Sequence, residues 1–329
     1  MKKNILSIIM MFAGLLLFTA CGSKEEQKTE EPKAETQTEQ KKVYKIGVTQ
    51  IVDHPALNDS KMGFIDALKD AGLETEIDDK VANGEIPTQQ LIAKQFAEDK
   101  KDLIFAIATP SAQAAASSTD TIPVVFASVS DPEGAGLTDK ANVTGTSGVP
   151  EIEKNLELLK KVFPNVKKVG IIYNTSEQNS VFQVEIAEQA GKRLGIEILA
   201  EGVTSAPEFM SALEKLSRDI DVFFAIQDNT LSSSFPALLE KMNALKIPIF
   251  GANAVYTDRG ALISQGTTDY DIGYRAGEMA AAILKGEKTP KDITIEVVQK
   301  PKISVNKKNM ELLGIKIPDD VMKEATITE

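Results

Sequence analysis

The 329-residue chain has no tryptophan, one cysteine and one histidine, and aromatic residues make up only 5% of it. A lone cysteine excludes an internal disulfide and a thiolate metal site. A lone histidine leaves no set for His-rich metal chemistry. Basic residues are in deficit, 37 Lys and Arg against 48 Asp and Glu, for a net charge of −11. Such a chain offers no basic face for phosphate, so nucleic acid is not an expected partner. Gly-rich phosphate loops, zinc-ligand spacings and Gly-x-Ser-x-Gly elbows are missing as well. Beyond the first two dozen residues, no segment is long and apolar enough to span a bilayer.

The N-terminus is organised around the one cysteine. Lys2 and Lys3 precede an apolar run from Ile5 to Phe18, and Thr19-Ala20 leads into Cys21. This is the layout of a secretory signal. The run of about 14 residues falls short of the about 20 that a spanning helix needs, which predicts cleavage. A cysteine at that junction is where a lipoprotein signal is cut and its thiol acylated. With Cys21 lipidated, the exported domain carries no thiol for a nucleophile or metal. Lys24 to Lys42 is Glu, Lys, Gln and Thr with little else. It cannot bury enough apolar surface to offset its ordering entropy, and reads as a disordered tether with a reach of roughly 25 Å.

The remaining body repeats itself. Lys45-Ile46-Gly47-Val48 is matched by Lys168-Val169-Gly170-Ile171, and each strand is followed by a helix that ends at a glycine, Gly72 and Gly195. The helices read as Met62 to Ala71 and Val184 to Leu194. Further on, Asp102-Leu-Ile-Phe-Ala-Ile parallels Asp221-Val-Phe-Phe-Ala-Ile, and Ile122-Pro-Val-Val-Phe-Ala parallels Ile247-Pro-Ile-Phe-Gly-Ala. Short apolar strands alternate with amphipathic helices at Gln89 to Glu98, Glu208 to Leu216 and Phe235 to Ala244. The alternation predicts an α/β protein of two doubly wound parallel-sheet lobes. After Leu262 the pattern changes to a long helix, a strand at Ile293 to Gln299 and a last helix. Such terminal elements cross back between lobes and make a multi-strand hinge, near Gly148 to Ile152, Ser264 to Thr267 and Pro301 to Ser304. The expected division is a signal peptide over 1–20 and a lipidated tether over 21–42. One lobe takes 43–150 plus 266–300, the other 151–265 plus 301–329.

Ligands of open parallel sheets bind beyond the carboxyl ends of the strands. In the first lobe those ends are Thr49-Gln50, Thr109-Pro110-Ser111 and Ala127-Ser128. In the second they are Asn174, Gln227-Asp228-Asn229 and Ala252-Asn253. The set is rich in neutral hydrogen-bonding groups with one carboxylate, Asp228. It orients a small polar ligand and supplies no nucleophile–base pair, so no enzyme activity, cofactor or metal is expected. Ser111 and Ser176 stand near helix starts, where free N–H groups favour an anion. Asp228 either pairs with a ligand ammonium, the favoured reading, or caps a helix. His54, in the loop Asp53-His54-Pro55-Ala56, reads as loop-shaping, and Asp131 as a turn residue.

The segments IGVTQIVDHPALNDSKMGFIDAL, DPEGAGL, NVTGTSG, GIIYNTSEQNS and RGALISQGTTDYDIGYRAGEMAAAILKGE follow in this order. Together they resemble the ABC-transporter substrate-binding lipoproteins of tryptophan or tyrosine uptake, over nearly all the chain after the tether. Asn58 and Gly148 depart from the family pattern. The resemblance implies a type I periplasmic-binding-protein fold and an amino acid, tryptophan favoured, held between the lobes. It also implies delivery to a membrane permease with a cytoplasmic ATPase. On this reading Thr109, Ser111 and Ser128 hold the ligand carboxylate and Asp228 its ammonium. Gln50, Asn174, Asn179, Asn229 and Asn253 complete the polar shell. A monomer anchored on the outer face of a cell membrane is expected, with a Gram-positive source favoured by Gly22 and the Lys/Glu/Ile-rich composition. The rivals are a sugar or nucleoside binder on the same fold, and a ligand-sensing lipoprotein that partners a kinase.

Overall fold

The computed structural model describes residues 42–329. The expected signal peptide, Cys21 and nearly all of the tether lie outside the described residues. The first sheet contains β1 (Val43–Gln50), β2 (Glu74–Val81), β3 (Leu103–Ile107), β4 (Val124–Val129), β5 (Val143–Ser147) and the short β11 (Glu296–Val297). Its order is β11-β5-β4-β3-β1-β2, and every pairing is parallel. The second sheet contains β6 (Lys168–Asn174), β7 (Glu197–Val203), β8 (Val222–Ala225), β9 (Ile249–Gly251), β10 (Ile263–Gly266), β12 (Lys302–Asn306) and β13 (Thr326–Thr328). Its order is β13-β12-β10-β9-β8-β6-β7. Here the parallel expectation needs correction at one edge, because β12 runs antiparallel to β10 and β13 follows β12. The chain enters β12 directly from the other lobe, so no helical crossover precedes it to set a parallel direction.

The helices cover the sheets in βαβ order: α1 (Pro55–Asp70), α2 (Ile86–Glu98), α3 (Thr109–Ser118), α4 (Ile152–Val162), α5 (Gln178–Leu194) and α6 (Ala206–Leu216). They continue with α7 (Asn229–Leu245), the one-turn α8 (Val255–Asp258), α9 (Asp269–Leu284), α10 (Lys307–Leu313) and α11 (Asp319–Glu324). Strands β3 and β4 are buried along nearly their whole length, as sheets covered on both faces require. The first lobe is held by one apolar cluster that includes Phe64, Phe96, Phe105 and Phe126. The second has two, one on each face of its sheet.

The chain passes from one sheet to the other between Ser147 and Ile152, between Gly266 and Asp269, and between Val297 and Lys302. The middle crossing matters most for the site. It delivers α9 onto the first lobe, where it packs against α1 at backbone distance. A Cβ on Gly273 would lie 1.9 Å from the Ser60 carbonyl oxygen, and one on Gly63 would lie 2.2 Å from that of Tyr270. Only glycine lets these two backbones approach so closely. The first residue of α9 is thereby fixed at the cleft.

Candidate ligand-binding site

The carboxyl ends of both sheets face one cavity between the lobes. The first lobe contributes His54, Ala56, Leu57, Ala108, Ser128, Ser130 and Asp269. The second contributes Asn179, Gln227, Asp228, Asn229, Ser232, Asn253, Val255 and Tyr256. The mixture of apolar wall and a few aimed polar groups is typical of small-molecule sites.

The backbone is strained where the first lobe meets the cavity. Ala108 alone joins β3 to α3, at φ 72° and ψ 161°, and Ser128 near the end of β4 has φ 58°. Non-glycine residues held there cost about 1–3 kcal/mol each and persist where the surroundings over-determine them. The turn at Ala108 brings the first N–H groups of α3 to the cavity edge. Beside them, the Thr109 hydroxyl is buried and without a hydrogen-bond partner.

The carboxylate in the cavity wall with hydrogen-bonding capacity left over is Asp269, the first residue of α9. Ser128 Oγ donates to its Oδ1 at 2.8 Å, and Asn253 Nδ2 donates to its Oδ2 at 2.7 Å. Each oxygen keeps a further lone pair for a ligand. Burial pushes the Asp269 carboxyl up to about 6, against the lowering effect of those two hydrogen bonds. A buried anion with spare acceptor capacity calls for a cation.

Asp228 is different, because the Asn174, Leu231 and Thr230 backbone N–H groups and the Ser180 hydroxyl all surround its carboxylate. Its Oδ1 accepts from Leu231 N at 2.6 Å as the N-cap of α7, and its Oδ2 accepts from Asn174 N at 2.7 Å. The capping alternative describes its bonding, although its side chain also lines the cavity. Four other expected site residues are not in the cavity wall. Ser111 Oγ donates to Gln89 Oε1, closing a buried triad with Thr49 that locks α2 and α3 onto β1. Gln50 Nε2 donates to Val52 O and Asn58 Oδ1, which braces the loop carrying His54. Asn174 donates to Thr230 Oγ1 and receives Ser176 N. Thr109 lies just behind Ala108. Ser128, Asn179, Asp228, Asn229 and Asn253 do line the cavity. Ser128 reaches Asp269 instead of standing free for a ligand carboxylate.

Sequence reasoning missed Asp269, Tyr256, Ser232 and Glu177, and set His54 aside. Tyr256 is buried under the cavity, donates to Ile226 O at 2.8 Å, and packs on Phe235. Glu177, the residue before α5, is buried with its carboxylate against the start of α7, where Asn229 N and Thr230 N point at it. Burial and the neighbouring Asp228 carboxylate push Glu177 upward. Asp269 was findable in principle: a helix that begins directly after an interlobe crossing must start at the cleft.

Among the described residues, three side-chain hydrogen bonds span the cleft. His54 Nε2 lies 3.2 Å from Asn229 Oδ1, Asn253 reaches Asp269, and Gln178 Nε2 donates to Asp131 Oδ2 at 2.9 Å. Asp131, read as a turn residue, thus also ties the lobes together.

Two strand-joined lobes closed over a cavity with these groups define a solute-binding protein of the type I periplasmic-binding-protein fold. The chain belongs to the ABC transporter substrate binding protein family, whose model matches residues 45–329. A tyrosine-binding protein of Clostridioides difficile is 37% identical over 324 residues, covering 95% of this chain and 93% of that one. The crystal structure of an ABC domain in complex with L-Trp from Streptococcus pneumonia superposes with a TM-score of 0.83 at 34% identity, over 87% of this chain and 99% of that one. A ligand-free, open substrate-binding protein with adhesive properties from Clostridium difficile gives a TM-score of 0.64 at 38% identity, over 87% and 99%. The lobes of this chain therefore match the liganded structure better than the open one, in keeping with the bonds across the cleft. Family membership makes the protein a binder and not an enzyme. It implies an extracytoplasmic location, a small-molecule ligand, and an ABC permease with its ATPase as partners.

Proposed function

We propose that this protein captures an aromatic L-amino acid, tryptophan or tyrosine, and presents it to its permease. The observation that carries the reading is Asp269, a buried carboxylate with unused acceptor capacity beside apolar Leu57, Val255 and Tyr256. The ligand ammonium binds Asp269, its ring lies against the apolar wall, and its carboxylate meets the N-terminus of α3 at Ala108. Asn179 and Asn253 complete the shell. The tyrosine of one relative above and the L-Trp bound in the other support the same class. Residues 43–150 with 266–300 and 151–265 with 301–329 move as rigid bodies about the crossings. Cys21 carries a lipid that holds a monomer to the outer face of a Gram-positive membrane.

A thermal-shift screen of amino acids, sugars and nucleosides tests the ligand class. Stabilisation by tryptophan or tyrosine is expected, and stabilisation by sugars alone would overturn the reading. For the anchor, Cys21→Ser should release the full-length protein from the membrane fraction with ligand affinity unchanged.

A further inference from the structure

The one histidine of the chain stands in the cavity wall with its protonation dictated by its neighbours. His54 is 6% exposed and immediately precedes α1. Its Nε2 meets Asn229 Oδ1, and which partner donates follows from the next residue along. Asn229 Nδ2 lies 2.5 Å from Glu177 Oε2, and Asn229 N, Thr230 N and the Thr230 hydroxyl also point at that carboxylate. Burial and Asp228 push Glu177 up to about 8, but its Oε2 already accepts from Asn229 N, so any proton it carries sits on Oε1 beside the Thr230 hydroxyl. The amide end facing Oε2 is therefore the donor end, which leaves Oδ1 towards His54. An oxygen there can only accept, so Nε2 carries the hydrogen. Burial and the nearby Arg259 guanidinium keep the ring neutral. Nδ1 is then a bare lone pair, buried and without a hydrogen-bond partner among the described residues.

We propose that His54 Nδ1 is the specificity determinant for the ligand side chain, accepting a hydrogen bond from a ring O–H or N–H. The inference rests on the aromatic amino-acid reading and deepens it: the site takes tyrosine or tryptophan and rejects phenylalanine. An apolar pocket alone separates such near-isosteres poorly, whereas a buried acceptor left unpaired by the wrong ligand penalises it. The discrimination expected from one unpaired acceptor is roughly ten- to a hundredfold.

Isothermal titration of the wild type and His54→Leu with L-Trp, L-Tyr and L-Phe tests this. The wild type should prefer tryptophan or tyrosine to phenylalanine by at least about tenfold, and His54→Leu should lose that preference while holding phenylalanine within about threefold. Equal wild-type affinities for all three would overturn the inference and leave the aromatic reading standing. No binding of any of them would remove both. A preference intact in His54→Leu but erased in Asn179→Leu would also overturn it, since Asn179 Oδ1 is, among the described residues, the other buried side-chain acceptor of the wall without a partner. So would an equal loss for all three ligands in His54→Leu. A second measurement needs no variant. With one histidine, the imidazole ¹⁵N spectrum belongs to His54 alone. It should show the neutral ring with its hydrogen on Nε2, and an Nδ1 signal that moves with tryptophan or tyrosine but not phenylalanine. A hydrogen on Nδ1 in the unliganded protein would defeat the proposal.

Discussion

Asp269→Asn should push affinity and stability in opposite directions. The amide is isosteric with the carboxylate and can keep a hydrogen bond to Ser128 and to Asn253 by its orientation. What it removes is the charge. Lifting a carboxyl from its ordinary 3.8 to about 6 by burial costs about 3 kcal/mol at neutral pH. The sign follows from the raised value. The penalty is absent below about pH 4, grows as pH rises, and is complete above about pH 6. At about pH 7.5 the ligand-free variant should therefore melt several degrees above the wild type, at about 2–4 °C per kcal/mol for a domain of this size. Binding goes the other way. Removing one partner of a buried ion pair costs about 3–5 kcal/mol, which is about two to three and a half orders of magnitude in Kd. Isothermal titration and differential scanning fluorimetry on one preparation read both quantities. A Kd within about threefold of wild type would remove Asp269 from ammonium recognition. A fall in both affinity and melting temperature would mean that the residue is structural.

The pH dependence of affinity follows from the same geometry. Asp269 must be ionised and His54, which burial lowers to about 4, must be neutral, so protonating either one weakens binding. Wild-type affinity measured by titration should fall as pH drops below about 6.5, and Asp269→Asn should retain only the part due to His54. An affinity that rises on acidification would contradict both assignments. Asp228→Ala should cost about 2–4 kcal/mol in a urea melt, from the lost cap of α7 and the stranded Asn174 N–H; an unchanged midpoint would refute the capping role. Gly273→Ala forces a methyl against the Ser60 carbonyl, so it should lower the melting temperature and, by displacing α9 and Asp269, weaken ligand binding. Lost stability with intact affinity would show that α9 does not position the site.

The duplication was legible because strands and glycine exits repeat as local patterns. Helix starts were less so. Helix α1 begins at Pro55, ahead of Met62, and α5 at Gln178, ahead of Val184. Apolar periodicity marks where a helix is buried, while its first turn near the cleft is polar and aperiodic. Pro55 at the first helical position was the available signal for α1. The strand-end rule found the right neighbourhood and could not rank residues inside it. Ser111 and Ser128 look alike in sequence, yet one is consumed by Gln89 and the other by Asp269. Such pairings join residues far apart in the chain, which no local pattern records. Asp228 illustrates the reverse case, since its local context as a cap turned out to describe its bonding.

Asp269 also explains how binding and closure are linked. Its two partners come from different lobes, Ser128 from β4 and Asn253 from the loop after β9, so the carboxylate is fully enclosed only when the lobes meet. Enclosing it without a cation leaves the burial cost of about 3 kcal/mol uncompensated. That weighs against the closed form by roughly a hundredfold. A ligand ammonium at the same place removes the penalty and adds an ion pair, so the ligand's differential affinity for the closed lobes is concentrated at one residue. A neutral solute of the same shape satisfies the apolar wall and leaves the anion bare. The site thereby couples recognition of an amino group to the conformational change, and a chain with Asn at 269 should close with less regard to what it holds.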